Sequence, residues 1–193
     1  SQAARTPGIH LMAIADLDPA RARAACARVG GLDTGAASFD AARTAGTTYV
    51  TDDSMALIAA GGLDVVIDAT GNPAAGIAHA LAAIDNGKHI VMVNVEADVL
   101  AGPLLAARAR QAGLVYSMAY GDQPALIAEQ VDWARTAGLD VIAAGKGTKY
   151  LDGYHHVTPD DVWQHYGLTP EAAAAGGMNP QMFNSFLDGT KSA

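Results

Sequence analysis

Residues 63–73 read LDVVIDATGNP, and this stretch decides the fold class. Residues 65–67 are a short run of β-branched residues closed by turn residues, which predicts a strand buried on both faces, as in a parallel sheet. Polar and turn residues follow this strand, where an open α/β sheet forms its ligand crevice: Asp68, Thr70, Gly71 and Asn72. Asn72 can cap the next helix, and Pro73 suits its first position.

Strands and helices alternate on both sides of this stretch. Further strands are predicted over residues 9–15, 49–50, 89–95, 114–119 and 139–144. Helices are predicted over residues 19–29, 53–60, 74–86, 103–112 and 124–137, with Asp18 capping the first and Gly87 ending the third. Residues 32–48 are read as an irregular segment. The rhythm predicts an α/β fold with a Rossmann-like, doubly wound parallel sheet.

The chain is predicted to hold two domains. Residues 1–120 carry the regular alternation and form a partial dinucleotide-binding domain, and residues 121–193 begin a catalytic α/β domain. After Gly145 aromatic, histidine and turn residues replace the alternation, apart from a short alanine-rich helix within residues 168–177. Residues 178–193 are polar and carry no helix stop.

Composition limits the classes of partner. Half of the 193 residues are hydrophobic and 17% are charged, so a packed core is expected. The net charge of −8 argues against nucleic acid or an anionic membrane as the principal partner and leaves a small-molecule substrate. One cysteine, Cys26, cannot form an internal disulfide, and no signal peptide or spanning segment is seen, so a cytoplasmic location is expected.

Asp16 closes an early strand and is followed by a capped helix. In a dinucleotide-binding fold an acidic residue at this place accepts hydrogen bonds from the adenosine ribose hydroxyls. A glycine loop normally precedes it by about 20 residues, but the residues before Asp16 contain no GxGxxG motif. We therefore expect the first strand and its phosphate loop to be missing from this chain. The alternative is an ordinary carboxylate at a strand end.

Leu17, and not an arginine, follows Asp16 in the sequence. A carboxylate without an adjacent cation repels a 2′-phosphate, which slightly favours NAD over NADP as the cofactor.

Several stretches in order resemble one family: GLDVVIDATGNP (62–73), GKHIVMVNVEADVLAGPLL (87–105), YSMAYGDQPALIAEQVDWARTAG (116–138), AAGKGTKYL (143–151) and NPQMFNSFLDGTK (179–191). They are similar to the homoserine-dehydrogenase-like oxidoreductases, and within them to the DXR-like (DRL) subgroup, whose members often carry a SAF domain. The resemblance implies a Rossmann domain followed by a catalytic domain. It also implies NADPH-dependent conversion of 1-deoxy-D-xylulose 5-phosphate, although many relatives have no assigned substrate.

Asn94 and Glu96 follow the strand after the 63–73 stretch, and Asn94 is grouped with the cofactor-binding residues. The resemblance implies an Asn-Lys or Glu-Lys pair here with the lysine on the substrate, but Val95 occupies that place. Glu96 and Asp98 are open to three interpretations: a substrate hydroxyl contact, a metal contact, or capping of the next helix.

Lys146 and Lys149 follow the last predicted strand and are candidates to neutralise a phosphate or polarise a carbonyl, with Lys149 preferred. A P-loop is excluded, because Asp140 stands where its first glycine is required and Gly147 interrupts its Lys-Ser/Thr pair. Asp122 either orients a hydroxyl or lysine or caps a helix. The alternative for the lysines is a solvated loop.

Other candidates are weaker. His155 and His156 lack a third ligand with diagnostic spacing, so a metal site is not expected. Trp133 and Trp163 are expected in the core, and no Ser-His-Asp arrangement stands out. The resemblance alone suggests that a phosphate site could be completed by Asn184, Ser185 and Lys191.

The sequence is thus interpreted as part of an NAD(P)-dependent oxidoreductase acting on a small polar, perhaps phosphorylated carbonyl substrate. Asp16 and residues 70–72 would hold the cofactor, and Lys149 would act with Glu96 or Asp122. The alternatives are a dinucleotide- or metabolite-binding module without turnover and a homoserine or sugar dehydrogenase. The chain as given is expected to be inactive, and apolar surface left by a lost strand predicts poor solubility or self-association of this chain. A homo-oligomer is also expected.

Overall fold

The structure is a computed structural model that describes residues 2–120, 123–145 and 151–188. The chain divides into two compact units, residues 1–119 and 120–193.

The first unit alternates strands and helices along its length. Its elements are β1 (Ala13–Ala15), α1 (Pro19–Val29), α2 (Phe39–Ala45), β2 (Tyr49–Thr51), α3 (Ser54–Ala59), β3 (Val65–Asp68), α4 (Pro73–Asp85), β4 (His89–Met92), α5 (Val95–Gln111) and β5 (Tyr116–Met118). A short 3₁₀ helix, Ala3–Arg5, precedes them. Every strand pair is parallel, which confirms the predicted α/β class.

The strands form two sheets. β1 pairs with β2, with Ala13 opposite Tyr49, and the second sheet has the order β3-β4-β5, with Val65 opposite His89. Within residues 2–120 no strand pair joins the two sheets. Helix α3 follows β2 and contacts both β1 and α4, and its Ile58 is buried in the core of the three-stranded sheet. The two sheets are therefore linked through helix packing.

The main core lies between the three-stranded sheet and helices α4 and α5. Its buried members are Ile58, Ala80, Ala83, Ile90, Met92, Ala97 and Leu105. Helices α4 and α5 approach each other closely at Gly76, where a Cβ atom would lie 2.6 Å from Asn94 Nδ2 and 2.8 Å from the Cβ of Ala97. Glycine at this position is what allows the two helices to pack at this distance.

Local signals for several helix ends are confirmed. Asp18 accepts hydrogen bonds from the first turn of α1, and Asn72 does the same for α4, with proline at the first helical position in both. Gly87 follows α4 with φ +69°, a conformation that L residues with side chains rarely adopt. Short polar caps of this kind are local and are therefore readable from sequence.

The prediction that residues 65–67 are buried on both faces is wrong. Val66 packs against the core, whereas Val65 is 46% exposed and Ile67 is 65% exposed. Alternate residues of a strand point to opposite faces. The helices cover one face of β3, and the residues that the structure describes leave its other face open.

Three element predictions need correction. The helix expected from Pro103 begins at Val95, because Asn94 supplies the cap and Pro103 is accommodated inside the helix. Residues 32–48, expected to be irregular, contain α2, capped by Ser38. The strand predicted at 139–144 is not formed in the described residues, where Leu139 is 56% and Ile142 98% exposed and neither is covered by a neighbouring strand.

The second unit is helical in its described parts. Its elements are α6 (Gln123–Thr136), a 3₁₀ helix at Asp152–Tyr154, α7 (Val162–His165), α8 (Pro170–Ala175) and α9 (Pro180–Leu187). Trp163 is buried with Phe183 in a small core, which confirms its predicted role. The same prediction for Trp133 is wrong, because α6 leaves that side chain 69% exposed. Helix α9 falls in a segment for which only polar character was predicted.

Among the described residues, no helix is both long enough and apolar enough to cross a membrane.

The close approach at Gly76 gives the first testable prediction. Gly76→Ala should lower the free energy of unfolding by about 1–3 kcal/mol, because the added methyl overpacks the contact with α5. Urea denaturation followed by circular dichroism measures it. Gly61→Ala is the matched control, since a Cβ there meets nothing within 4 Å, and it should change stability by less than about 0.5 kcal/mol. Equal stabilities of the two variants would contradict the packing argument.

Candidate functional site

The carboxyl end of β3 is organised by Asp68. Its side chain is 1% exposed, and its Oδ2 lies 2.6 Å from Nδ1 of His79 on α4. Its Oδ1 accepts hydrogen bonds from the Thr70 hydroxyl at 3.0 Å and from Asn94 Nδ2 at 3.2 Å. One buried carboxylate therefore joins β3, the loop after it, α4 and the start of α5.

These contacts decide the ionisation of Asp68. Burial is the largest single effect and opposes the charge, but hydrogen bonds from His79, Asn94 and Thr70 together hold the pKa of Asp68 below its ordinary value. The carboxylate is thus ionised at neutral pH, and every hydrogen bond to it is charge-assisted.

Asn94 supports the same loop from α5. Its Nδ2 also donates to the Asn72 carbonyl at 2.8 Å and approaches Thr70 Oγ1 at 3.2 Å, while its Oδ1 accepts from the Ala97 amide. The residue is 2% exposed. Its amide is used within the protein, so the geometry assigns Asn94 to holding residues 70–72 in place.

Residues 70–72 lie at the surface. Thr70, Gly71 and Asn72 are all exposed, and Asn72 Oδ1 caps α4 through the Ala75 amide at 2.9 Å. Gly71 has φ +66°, a conformation that any residue with a side chain would adopt only under strain. The sequence therefore fixes an exposed, polar backbone segment at the carboxyl end of β3.

His79 continues the hydrogen-bonded chain away from Asp68. Its Nε2 lies 2.8 Å from Oγ of Ser54, the first residue of α3. Sequence reasoning did not find this Ser54–His79–Asp68 arrangement. The three residues share no motif spacing, and only the packing of α3 on α4 brings them together.

Asp16 lies at the end of β1 with 28% of its side chain exposed. Its Oδ1 accepts from the Asp18 amide at 2.8 Å and from Arg21 Nη2 at 2.7 Å. The backbone hydrogen bond, followed by the one from Arg21, holds the pKa of Asp16 below its ordinary value. The expectation that Asp16 has no adjacent cation is wrong, because the first turn of α1 returns Arg21 to the strand end.

The acidic residues of α5 occupy its first turn. Glu96 is exposed there, while Asp98 accepts a hydrogen bond from the Tyr116 hydroxyl at 2.7 Å. Burial, followed by this bond to Asp98, raises the pKa of the Tyr116 hydroxyl. Asn94 supplies the cap of α5, and Asp98 is instead hydrogen-bonded to Tyr116 of β5. Among the described residues, no group of three or more histidine, cysteine or acidic side chains is placed to hold a metal ion.

Some predicted site residues lie outside the described residues: Asp122, Lys146, Lys149 and Lys191. Of the suggested phosphate site, Asn184 is 7% exposed and donates to Asp188 Oδ2 at 2.8 Å. The Ser185 hydroxyl donates to the Met182 carbonyl at 2.6 Å. Both hydrogen bonds are made within α9 or to the residue that follows it.

Parallel strands with polar side chains at their carboxyl ends are typical of Rossmann-like nucleotide-binding domains. Residues 2–117 match the family described as homoserine dehydrogenase, NAD binding domain, and the chain belongs to that family. Residues 121–193 match the family described as oxidoreductase DRL, catalytic domain. The recognition of a homoserine-dehydrogenase-like, DRL-related oxidoreductase chain is thereby confirmed.

Solved structures that are similar to part of this chain come from two bacteria. An NAD binding oxidoreductase from Klebsiella pneumoniae is 24% identical with a TM-score of 0.44, covering 77% of this chain and 35% of that one. A candidate oxidoreductase from the same organism is 20% identical with a TM-score of 0.44, covering 84% and 46%. Bacillus subtilis YvaA, also a candidate oxidoreductase, is 22% identical with a TM-score of 0.35, covering 50% and 28%.

The chain spans less than half the length of each of these structures. A comparison with curated protein sequences finds no match.

The burial of Asp68 gives a prediction with a defined pH dependence. Asp68→Asn should lower the free energy of unfolding at pH 7 by about 1–3 kcal/mol, because charge-assisted hydrogen bonds are lost. The folded pKa lies below the value of about 3.9 for an exposed aspartate, so the contribution is complete above that value and is lost as the pH falls through the folded pKa.

Urea denaturation of both proteins between neutral and acid pH measures this effect. The difference between wild type and Asp68→Asn should be constant above about pH 5 and shrink below about pH 4. Asp85→Asn, at an exposed carboxylate on the last residue of α4, is the control. A wild-type advantage that grows as the pH falls would contradict the ionised state.

Proposed function

We propose that the surface at the carboxyl ends of β1 and β3, called below the cofactor crevice, binds a nicotinamide dinucleotide and serves hydride transfer involving a carbonyl of a small polar substrate. The observation that carries the proposal is an ionised, partly exposed Asp16 at the end of β1, in a stretch that matches an NAD-binding family. A carboxylate at this position of the fold is the usual acceptor for ribose hydroxyls.

Arg21 bears on the choice between NAD and NADP. Asp16 repels a 2′-phosphate, while the Arg21 guanidinium beside it is a counter-charge with 68% of its side chain exposed. Because Arg21 already donates to Asp16, recruiting it to a phosphate would cost that ion pair. NAD is therefore the proposed cofactor, with NADP disfavoured by a smaller margin than an isolated carboxylate would impose.

Residues 70–72 are proposed to lie against the nicotinamide side of the cofactor. They are exposed. Asp68 fixes their backbone by accepting a hydrogen bond from the Thr70 amide, and Asn94 does so by donating one to the Asn72 carbonyl. A preformed segment loses little conformational entropy when a ligand binds, which favours affinity. Asn94 contributes in this proposal by positioning the segment, in place of the direct cofactor contact expected from the sequence.

The chemistry would be shared between the cofactor and the second unit. The bound dinucleotide supplies the hydride, and the protein supplies position and charge. Lys149, acting with Asp122, is proposed to polarise the carbonyl or move the proton, and Lys146 to neutralise a phosphate group. Glu96 stays a predicted site residue of the first unit. The match of residues 121–193 to the family described as oxidoreductase DRL, catalytic domain, supports a catalytic role for this unit. The resemblance to DRL enzymes makes 1-deoxy-D-xylulose 5-phosphate the first substrate to test.

In this proposal the described residues supply the ribose and nicotinamide-side contacts, and the sequence contains no GxGxxG loop for the pyrophosphate. Homo-oligomerisation stays a prediction. The test therefore uses two proteins side by side: this chain and the product of the complete reading frame that contains it.

Calorimetric titration of NAD and NADP is the test of cofactor binding. The product of the complete reading frame should bind NAD more tightly than NADP. Asp16→Ala should weaken NAD binding by about tenfold or more, because the ribose hydroxyls lose a charged acceptor. Asp40→Ala, which removes an exposed carboxylate paired with Arg43 on α2, is the matched control and should bind as wild type does. If neither protein binds either cofactor, Asp16 is only a strand-end carboxylate and the proposal is wrong.

Turnover separates the enzyme from the binding module. Oxidation of the reduced cofactor in the presence of 1-deoxy-D-xylulose 5-phosphate, followed by its absorbance, supports the DRL-type reaction. Tight binding without turnover of this or of homoserine and sugar substrates favours the non-catalytic module.

A further inference from the structure

The hydrogen-bonded chain Ser54–His79–Asp68 connects the two sheets of the first unit. Ser54 opens α3, which follows β2 of one sheet, whereas Asp68 ends β3 of the other. His79 joins them from α4, with 2.8 Å on the serine side and 2.6 Å on the aspartate side. No strand pair among residues 2–120 makes a comparable link between the sheets.

The hydrogen bonds that link Ser54, His79 and Asp68 can form in either protonation state of the imidazole. An ionised carboxylate can only accept hydrogen bonds, so the N–H at Nδ1 of His79 donates a hydrogen bond to Asp68. At Nε2 a neutral ring accepts from the Ser54 hydroxyl, and a charged ring donates to it, because a hydroxyl can play both parts. The side chain of His79 is 13% exposed, so solvent competes little for these bonds.

The hydrogen bonds of Ser54, His79 and Asp68 lie between the two parts of the proposed cofactor crevice. The ribose-side residue Asp16 belongs to the two-stranded sheet, and residues 70–72 follow β3 of the three-stranded sheet. A dinucleotide contacting both would need the two strand ends held at a constant separation. Among the described residues this constraint comes from helix packing, which alone permits small sliding movements, and from the hydrogen bonds that link Ser54, His79 and Asp68.

We propose that His79 is a positioning residue of the cofactor site, tying the start of α3 through Asp68 to residues 70–72. The cofactor part of this inference rests on the proposed function. The role of His79 as a tie within the unliganded protein does not, and it can be tested separately.

The hydrogen bonds of Asp68 favour a positioning role over a nucleophilic serine. The same carboxylate also accepts hydrogen bonds from Thr70 and Asn94, so His79 acts on a group whose other partners hold the exposed segment 70–72.

Amide hydrogen exchange with mass spectrometry tests the tie without cofactor. His79→Leu fills the space but donates nothing, and it should speed exchange in residues 52–56 and 69–73 by about tenfold. His79→Asn keeps a donor at the place of Nδ1 and cannot reach Ser54, so only residues 52–56 should exchange faster. His156→Asn, in the second unit, is the control and should match wild type in both segments.

Three results would overturn the inference. One is wild-type exchange in both segments of His79→Leu, and another is a uniform increase across the first unit, which indicates general destabilisation. The third is labelling of Ser54 by a fluorophosphonate probe, which would make the serine a nucleophile.

The same variants test the cofactor part. In the product of the complete reading frame, His79→Leu should weaken dinucleotide binding about tenfold while His79→Asn retains part of the affinity. Wild-type affinity in His79→Leu overturns this part. Failure of the proposed function is distinct from this, because it appears as no binding by the wild-type protein.

Discussion

The buried, ionised carboxylate of Asp68 is the interaction on which the rest of the first unit depends. Removing a carboxylate from water is costly, and the cost is met here by hydrogen bonds from three different segments. Each of those segments is thereby fixed relative to the end of β3. The requirement extends to Gly76, since any side chain there would displace Asn94, which is one of the donors.

The two sheets contribute different parts of the proposed crevice. One sheet presents Asp16 at its carboxyl end, and the other presents the exposed segment that follows Asp68. Their connection runs through α3, through the burial of Ile58, and through the chain from Ser54 to Asp68. The geometry of such a site depends on the side chains that connect its two halves.

Local sequence signals predicted those helix caps and strands whose formation depends on residues close together in the sequence. The caps at Asp18 and Asn72, and the strand before Asp68, each involve residues within a few positions of one another. The use of Asn94 as a cap for α5 escaped notice because Pro103 suggested a later start. Its contact with Asp68 spans 26 residues of sequence, and that of His79 spans 11, so neither has a spacing that chemistry dictates. Arg21 was missed because a helical turn, and not sequence adjacency, brings it to Asp16.

The most direct test of the central claim is where a dinucleotide binds. Backbone amide chemical shifts of the isotope-labelled product of the complete reading frame, recorded while NAD is added, locate the site residue by residue. If NAD binds at the proposed crevice, the largest changes within residues 2–120 fall at residues 16–18 and 69–73, with little change near the amino ends of β1 and β2. Changes confined to those amino ends, or to the second unit, would contradict it.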